Sequence, residues 1–139
     1  MDNKPTNTKK VLIMCTGNSC RSIIAEALVN AFVDGVEAMS CGVDPSGRVN
    51  PNAQRVLEQN GIWKSSYHSK NLDEVIDEDF DLVVTVCDHA REVCPIFPKP
   101  VGKIHVGFED PDGKDYSEFE RTYNDIKEKL LPQIAQRLS

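Results

Sequence analysis

No run of apolar residues in this chain approaches the roughly 20 needed to cross a bilayer as a helix, so a membrane-spanning role is not expected. The opening stretch, Met1 to Lys10, is polar and lacks the apolar core of a secretory leader, which makes cytoplasmic residence the expectation. Positive charge is also in short supply. Lys and Arg number 16 against 22 Asp and Glu, for a net charge of −6, which argues against the basic surface that nucleic-acid binding needs. The same field repels anions, so affinity for an anionic substrate has to be local. An even set of cysteines is missing too. Five thiols without a leader do not make the disulfide framework of a small secreted domain. No internal repeat, low-complexity tract or linker divides the 139 residues, which read as a single domain, 1–139, with residues 1–9 loosely attached.

What the chain does have is an alternation of short apolar runs and helical patterns. Lys10 to Cys15 is continuous and apolar, the mark of a strand buried on both faces. A helix is expected over Ser22 to Val33, with Ile23, Ile24, Ala27, Leu28 and Ala31 on its apolar stripe and Glu26 and Asn30 off it. Val36 to Cys41 reads as a strand, and Asn50-Pro51 as a helix start running to about Asn60. Leu72 to Ile76 is a short amphipathic piece, Asp81 to Val86 a clear strand, Asp88 to Val93 a helical turn and Val101 to Val106 a further strand. Ser117 and Glu120 have capping-box spacing for a last helix, which Pro132 interrupts. The order β-α-β-α-(α)-β-α-β-α predicts a parallel sheet covered on both faces. In such sheets ligands sit beyond the C-terminal strand ends, and Cys15, Cys87 and Asp110 each follow a predicted strand.

The first of those ends carries Cys15-Thr16-Gly17-Asn18-Ser19-Cys20-Arg21-Ser22 between strand and helix. Backbone N–H groups converge in such a loop and hold an anion. Gly17 and Asn18 suit positions of positive φ. The Ser22 hydroxyl at the helix start is placed to donate to the Cys15 sulfur, and loop amides, helix N-terminus and Arg21 all favour a thiolate there. The spacing therefore points to an oxyanion held by Thr16, Gly17, Asn18, Ser19, Cys20, Arg21 and Ser22 and attacked by Cys15. A buried cysteine at a strand end is the plainer alternative. Cys20 and Cys41 are most simply core residues.

The stretch Cys15 to Ser22 with Ala25-Glu26, then Leu82-Val83-Val84-Thr85-Val86-Cys87, then Gly107-Phe108-Glu109-Asp110-Pro111, resembles in order and nearly end to end the low-molecular-weight protein-tyrosine phosphatases and the arsenate reductases built on the same fold. The resemblance implies a four-stranded parallel sheet with helices on both sides. It also implies that Asp110 is the general acid. Read alone, Asp110-Pro111 suits an ordinary turn, and Glu109 and Asp112 suit solvated loop positions.

Cys87 and Cys94 separate two chemistries. A phosphatase needs only the loop and the acid, whereas a reductase needs electrons, for which thiols are the available source. The pair reads as structural cysteines, as a zinc site with His89 (whose spacing fits no common zinc pattern), or as a redox relay. The resemblance implies the relay: Cys15 attacks arsenate, Cys87 attacks Cys15, Cys94 attacks Cys87, and an external dithiol, thioredoxin or alternatively glutaredoxin with glutathione, resets the enzyme. Such exchange predicts a mobile Cys87–Cys94 segment. Phosphotyrosine recognition favours aromatic walls, yet no aromatic lies between Cys41 and Pro51 and only Tyr116 lies near Asp110-Pro111. The pocket therefore suits a small inorganic anion, arsenate, with phosphate or sulfate competing. In the thioredoxin-linked reductases a potassium site uses side chains resembling Asn18, Glu26, Ser40 and an aspartate. That aspartate's place is taken by Asn71, which weakens the case for potassium. No tightly bound cofactor or metal is expected, and the chain is expected to be a monomer. A phosphatase, and a non-catalytic thiol or anion sensor, are the alternatives.

Overall fold

A computed structural model of the chain describes residues 8–87 and 97–138. The helical turn expected over Asp88 to Val93, and Cys94, lie outside the described residues. Strand β1 (Lys9–Cys15) runs into helix α1 (Arg21–Phe32), β2 (Val36–Gly42) and α2 (Pro51–Gln59). A one-turn 3-10 helix (Leu72–Glu74) then precedes β3 (Leu82–Thr85), β4 (Lys103–His105), α3 (Tyr116–Lys129) and α4 (Leu131–Leu138). The four strands form one sheet in the order β2-β1-β3-β4, with every pair parallel, as the alternation predicts.

β1 is central because its sequence permits burial on both sides. Val11, Ile13 and Cys15 face one cluster with Leu82, Val84 and Val86, and onto it pack α1, α2, α3 and α4 through Ile23, Leu28, Leu57, Phe119, Ile126 and Ile134. Leu12 and Met14 face the other cluster, with Cys41, Val83 and Phe97, covered by the stretch around the 3-10 turn through Leu72, Val75, Ile76 and Phe80. The continuous run of apolar residues thus serves two cores at once, and period-2 alternation divides it between them. Among the described residues no helix is long and apolar enough to cross a membrane.

Two local expectations shift. α1 is buried from Arg21 to Val29, so Glu26, expected off the apolar stripe, lies inside, whereas Ala31 is exposed. The reason is a polar partner: the Ser40 hydroxyl on β2 donates to Glu26 Oε1 at 2.5 Å. α3 begins at Tyr116 with Asp115 in the extended N-cap position and no side-chain cap bond, so Ser117 is inside the helix and the capping-box spacing is not used. The last helix is interrupted as Pro132 predicts, dividing at Leu130. Pro132 has no N–H to donate to Glu128, and the ladder resumes with Ile134 N on Leu130 O at 3.0 Å.

β2 ends where the loop after β1 crosses it. A Cβ on Gly42 would stand 2.5 Å from the Thr16 carbonyl oxygen and 3.1 Å from Asn18 N, both backbone atoms. Only glycine permits so close an approach. Gly42→Ala is expected to lower stability by about 1–3 kcal/mol, the usual cost of overpacking, and to weaken phosphate binding at the displaced loop. Urea unfolding and a phosphate titration check this; a wild-type midpoint with wild-type affinity would mean that the crossing is not tight.

Candidate active site

The loop after β1 is fixed from outside by its own carbonyls. Cys15 O, Thr16 O, Gly17 O and Ser19 O accept from the backbone N–H groups of Val43, Asp44, Ser46 and Asn50, at 3.0–3.2 Å. Ser69 Oγ donates to Gly17 O as well, at 3.1 Å. In a planar trans peptide the N–H points opposite the C=O. Turning these carbonyls toward residues 43–50 therefore turns the following N–H groups inward, over Cys15. One of them, Asn18 N, donates to Cys15 Sγ at 3.2 Å.

Asn18 is the pivot. It is fully buried and takes φ of 48°, the left-handed region that asparagine tolerates. Gly17, also expected there, is not among the residues of positive φ. Asn18 Nδ2 donates to Ser22 Oγ at 2.7 Å and to Ser40 Oγ at 3.0 Å, and Oδ1 accepts from Lys70 N at 2.9 Å. These donors set the hydroxyl protons. Ser40 gives its proton to Glu26, and Ser22, already an acceptor from Asn18, is left to donate to Cys15 Sγ at 2.8 Å. A chain of hydrogen bonds thus runs from Glu26 through Ser40, Asn18 and Ser22 to the sulfur. The chain ends in the Ser22 hydroxyl against Sγ, and the Asn18 backbone N–H is a second donor to the same atom.

Above the sulfur lies a cavity of about 240 Å³ lined by Cys15 to Arg21 with Ser46, Asp110 and Asp112. A larger hollow of about 670 Å³ lies between Phe32 and Leu138 and contains no cysteine or histidine, so volume does not mark the chemistry here. Arg21 is buried, and its Nη1 donates to Phe108 O at 3.1 Å. Its Nη2 is 3.6 Å from Asp110 Oδ2. The guanidinium therefore joins the oxyanion loop to the segment carrying Glu109-Asp110-Pro111. Asp110 Oδ1 accepts from Asp112 N at 3.0 Å, and the carboxyl is 46% exposed, open to both cavity and water.

Thr16, Gly17, Ser19 and Cys20 complete the cavity wall, and Ser22 lies beneath it. Burial pushes the Cys20 thiol up to about 12 against a smaller opposing contribution from the Ser19 hydroxyl, and burial likewise pushes Cys41 up to about 12. Neither thiol ionises near neutrality. Cys87 is fully buried just past β3. It follows Val86, whose N–H donates to Met14 O at 3.1 Å, so the chain at Cys87 runs beside the end of β1. Cys15, Cys20 and Cys41 are free thiols. The sequence-predicted Cys15, Arg21 and Asp110 therefore converge on one cavity, and Cys94 lies outside the described residues.

Several residues here escaped sequence reasoning. Ser46 and Asp112 line the cavity, Ser69 and Lys70 hold the loop from below, and Asn50 bonds Asp112 across 62 positions. Only Asn50 carried a sequence signal, its place before Pro51, and that signal spoke of a helix cap alone. The potassium set is committed elsewhere. Asn18 and Ser40 bond within the chain just described, position 71 carries no charge, and the buried Lys70 bears its ammonium close enough to ease ionisation of Glu26. These residues do not fit a bound cation.

A cysteine beneath converging amides, with a buried arginine and a carboxyl beside it, is the arrangement that thiol-nucleophile, oxyanion-handling enzymes require. The family model described as low molecular weight phosphotyrosine protein phosphatase matches residues 10–139, and the chain belongs to that family. Within it, an arsenate reductase of Bacillus cereus is 42% identical over 125 residues, covering 89% of this chain and 92% of that one. Among solved structures, an arsenate reductase from Archaeoglobus fulgidus superimposes with a TM-score of 0.80 at 35% identity, covering 89% of this chain and 98% of the other. A thioredoxin-dependent arsenate reductase of Corynebacterium glutamicum gives a TM-score of 0.65 at 29% identity, covering 94% of this chain and 63% of the other.

Glu26 gives the site a pH signature. Burial raises its pKa, opposed by the Lys70 charge and the Ser40 hydrogen bond. The folded state then holds this proton more tightly than the unfolded state. Its contribution to stability is complete below the ordinary carboxylate range and is lost as pH rises through the raised value. In urea unfolding from pH 4.5 to 8, Glu26→Gln is expected to flatten that decline relative to wild type; parallel curves for the two proteins would contradict it.

Proposed function

We propose that the chain reduces arsenate to arsenite, with Cys15 as nucleophile and Cys87 and Cys94 as its electron source. The observation that carries the reading is the setting of Cys15 Sγ, with the Ser22 hydroxyl at 2.8 Å and Asn18 N at 3.2 Å, beneath a cavity with room for a tetrahedral anion. The inward amides of Thr16 to Cys20 and the Arg21 guanidinium hold the oxyanion. The Cys15 thiolate attacks arsenic, an As–O bond breaks, and Asp110 gives the departing oxygen a proton. Cys87 then attacks the Cys15 sulfur. A Cys15–Cys87 disulfide forms, the S–As electron pair passes to arsenic, and arsenite leaves. Attack by Cys94 on Cys87 frees Cys15, and an external dithiol reduces Cys87–Cys94. The thioredoxin-dependent relative in Corynebacterium glutamicum supports thioredoxin as that dithiol, with glutaredoxin and glutathione as the alternative. The scheme uses a monomer in the cytoplasm, no tightly bound cofactor, and no potassium, whose residues are otherwise engaged.

Hydrolysis of phosphate esters is the second reading, because amides and a guanidinium that bind arsenate also bind phosphate. Against phosphotyrosine as its substrate stands the cavity wall, which carries no aromatic side chain among the described residues. Tyr116, the aromatic closest in sequence to Asp110-Pro111, is covered instead by Arg55, whose guanidinium carbon lies 4.0 Å from the ring centroid.

A coupled assay separates these readings. Arsenate is expected to drive NADPH consumption in the presence of thioredoxin and its reductase. Cys15→Ser abolishes that consumption and any aryl phosphate hydrolysis. Cys87→Ser and Cys94→Ser reduce NADPH use to background yet spare hydrolysis. If arsenate draws no NADPH with either thioredoxin or glutaredoxin, the reductase reading fails.

A further inference from the structure

The turn that carries Asp110 is open to solvent, and its ion pair with Arg21 is long at 3.6 Å, so Arg21 alone does not aim the carboxyl. A second support comes from α2. Asp112 N donates to Asp110 Oδ1 at 3.0 Å, and Asp112 Oδ1 accepts from Asn50 Nδ2 at 2.8 Å. The rest of Asn50 is held. Its Oδ1 caps α2 by accepting from Asn52 N at 2.8 Å, its N–H donates to Ser19 O at 3.0 Å, and its carbonyl accepts from Gln54 N at 3.0 Å. One residue therefore touches α2, the oxyanion loop and the Asp110 turn.

A cap needs only the acceptor, and serine, threonine or aspartate supplies that as well. Among the strong caps asparagine alone carries a donor on an atom separate from the capping oxygen, and here that Nδ2 is aimed at Asp112 while Oδ1 caps the helix. An aspartate in its place would instead set one carboxylate against another. We propose that Asn50 is a positioning residue that holds the Asp110 carboxyl over the Cys15 cavity through Asp112, in addition to capping α2. The inference rests on the reading of Asp110 as proton donor. It adds a specific role for α2, which otherwise takes part only by packing.

The test is a single turnover. Reduced enzyme is mixed with arsenate, and arsenite is measured after rapid quench. Asn50→Ser, which keeps a capping oxygen and removes the longer-reaching Nδ2 that meets Asp112, is expected to lower the rate constant roughly three- to tenfold, the worth of one partly exposed hydrogen bond. The half-saturating arsenate concentration and the melting temperature stay at their wild-type values. Asp112→Ala slows the step similarly, and Asp112→Asn, which keeps an acceptor, recovers most of the loss. On an Asp110→Asn background, Asn50→Ser adds nothing, because both changes act on the same proton. Hydrogen exchange at the Asp112 amide, read without substrate, quickens in Asn50→Ser. The proposal is overturned if that exchange is unaltered, if Asn50→Ser slows turnover equally on the Asp110→Asn background, or if it alters only the arsenate concentration needed. If Asp110→Asn itself leaves the rate as in wild type, the proton-donor reading fails and this one falls with it.

Discussion

The buried amide of Asn18 is the interaction on which the rest of the site depends. A loop between a strand and a helix has too few side chains to pack itself into one shape. Here a single asparagine at φ of 48° bends the backbone, and its side chain then bonds α1 through Ser22, β2 through Ser40, and the strand-edge segment through Lys70 N. Every polar atom of that amide is used inside the protein. Releasing one of its partners would leave a buried polar group unsatisfied, at a cost of about 1–3 kcal/mol. That cost gives the loop one shape, and the shape gives the sulfur its hydrogen bonds.

From that pivot the sheet topology follows as a means of bringing distant segments to one edge. β1 lies between β2 and β3, so its C-terminal end is flanked by Gly42 on one side and Val86-Cys87 on the other. β2 contributes the chain that receives the loop's carbonyls. β3 and β4 lead to the backbone that receives Arg21 and presents Asp110. Nucleophile, anion-binding amides and guanidinium come from one stretch, Cys15 to Arg21, and the carboxyl from another, and parallel pairing places both beyond the same strand ends. Cys20 and Cys41 share the neighbourhood yet are silenced by burial, which keeps their sulfurs as thiols beside a reactive one.

Much of this was legible in the residues alone. The four strands announce themselves by apolar, β-branched runs, and the loop by a cysteine and an arginine bracketing Gly17 and Asn18. Cys15, Arg21 and Asp110 were nameable as a set before their convergence was visible. What stayed hidden shares one physical cause: it consists of polar contacts between residues far apart in sequence. Glu26 stands off the apolar stripe in sequence, and its burial stays hidden because periodicity counts apolar neighbours and is blind to a serine on the next strand. Asn50 looked like a helix cap and nothing more, because its second bond reaches 62 residues onward. Gly42 reads in sequence as the start of a loop through Pro45, Ser46 and Gly47, whereas the need for glycine there comes from the loop after β1 crossing above it. The start of α3 lies two residues before the capping-box reading, at an Asp115 N-cap and not Ser117, because Ser117 and Glu120 have the right spacing without the right backbone.

The loop handles phosphate and arsenate by the same amides and charge, so its geometry cannot by itself separate hydrolysis from reduction. The distinction rests on where electrons come from, and hence on which sulfurs become joined. The most direct measurement is a disulfide map by mass spectrometry. Reduced protein is given one equivalent of arsenate, quenched in acid, and its remaining thiols alkylated. The account predicts a Cys87–Cys94 bond in the wild type and a Cys15–Cys87 bond in Cys94→Ser, with Cys20 and Cys41 alkylated in both. Arsenite released while all five cysteines stay alkylatable, or disulfides that run through Cys20 or Cys41, would contradict it.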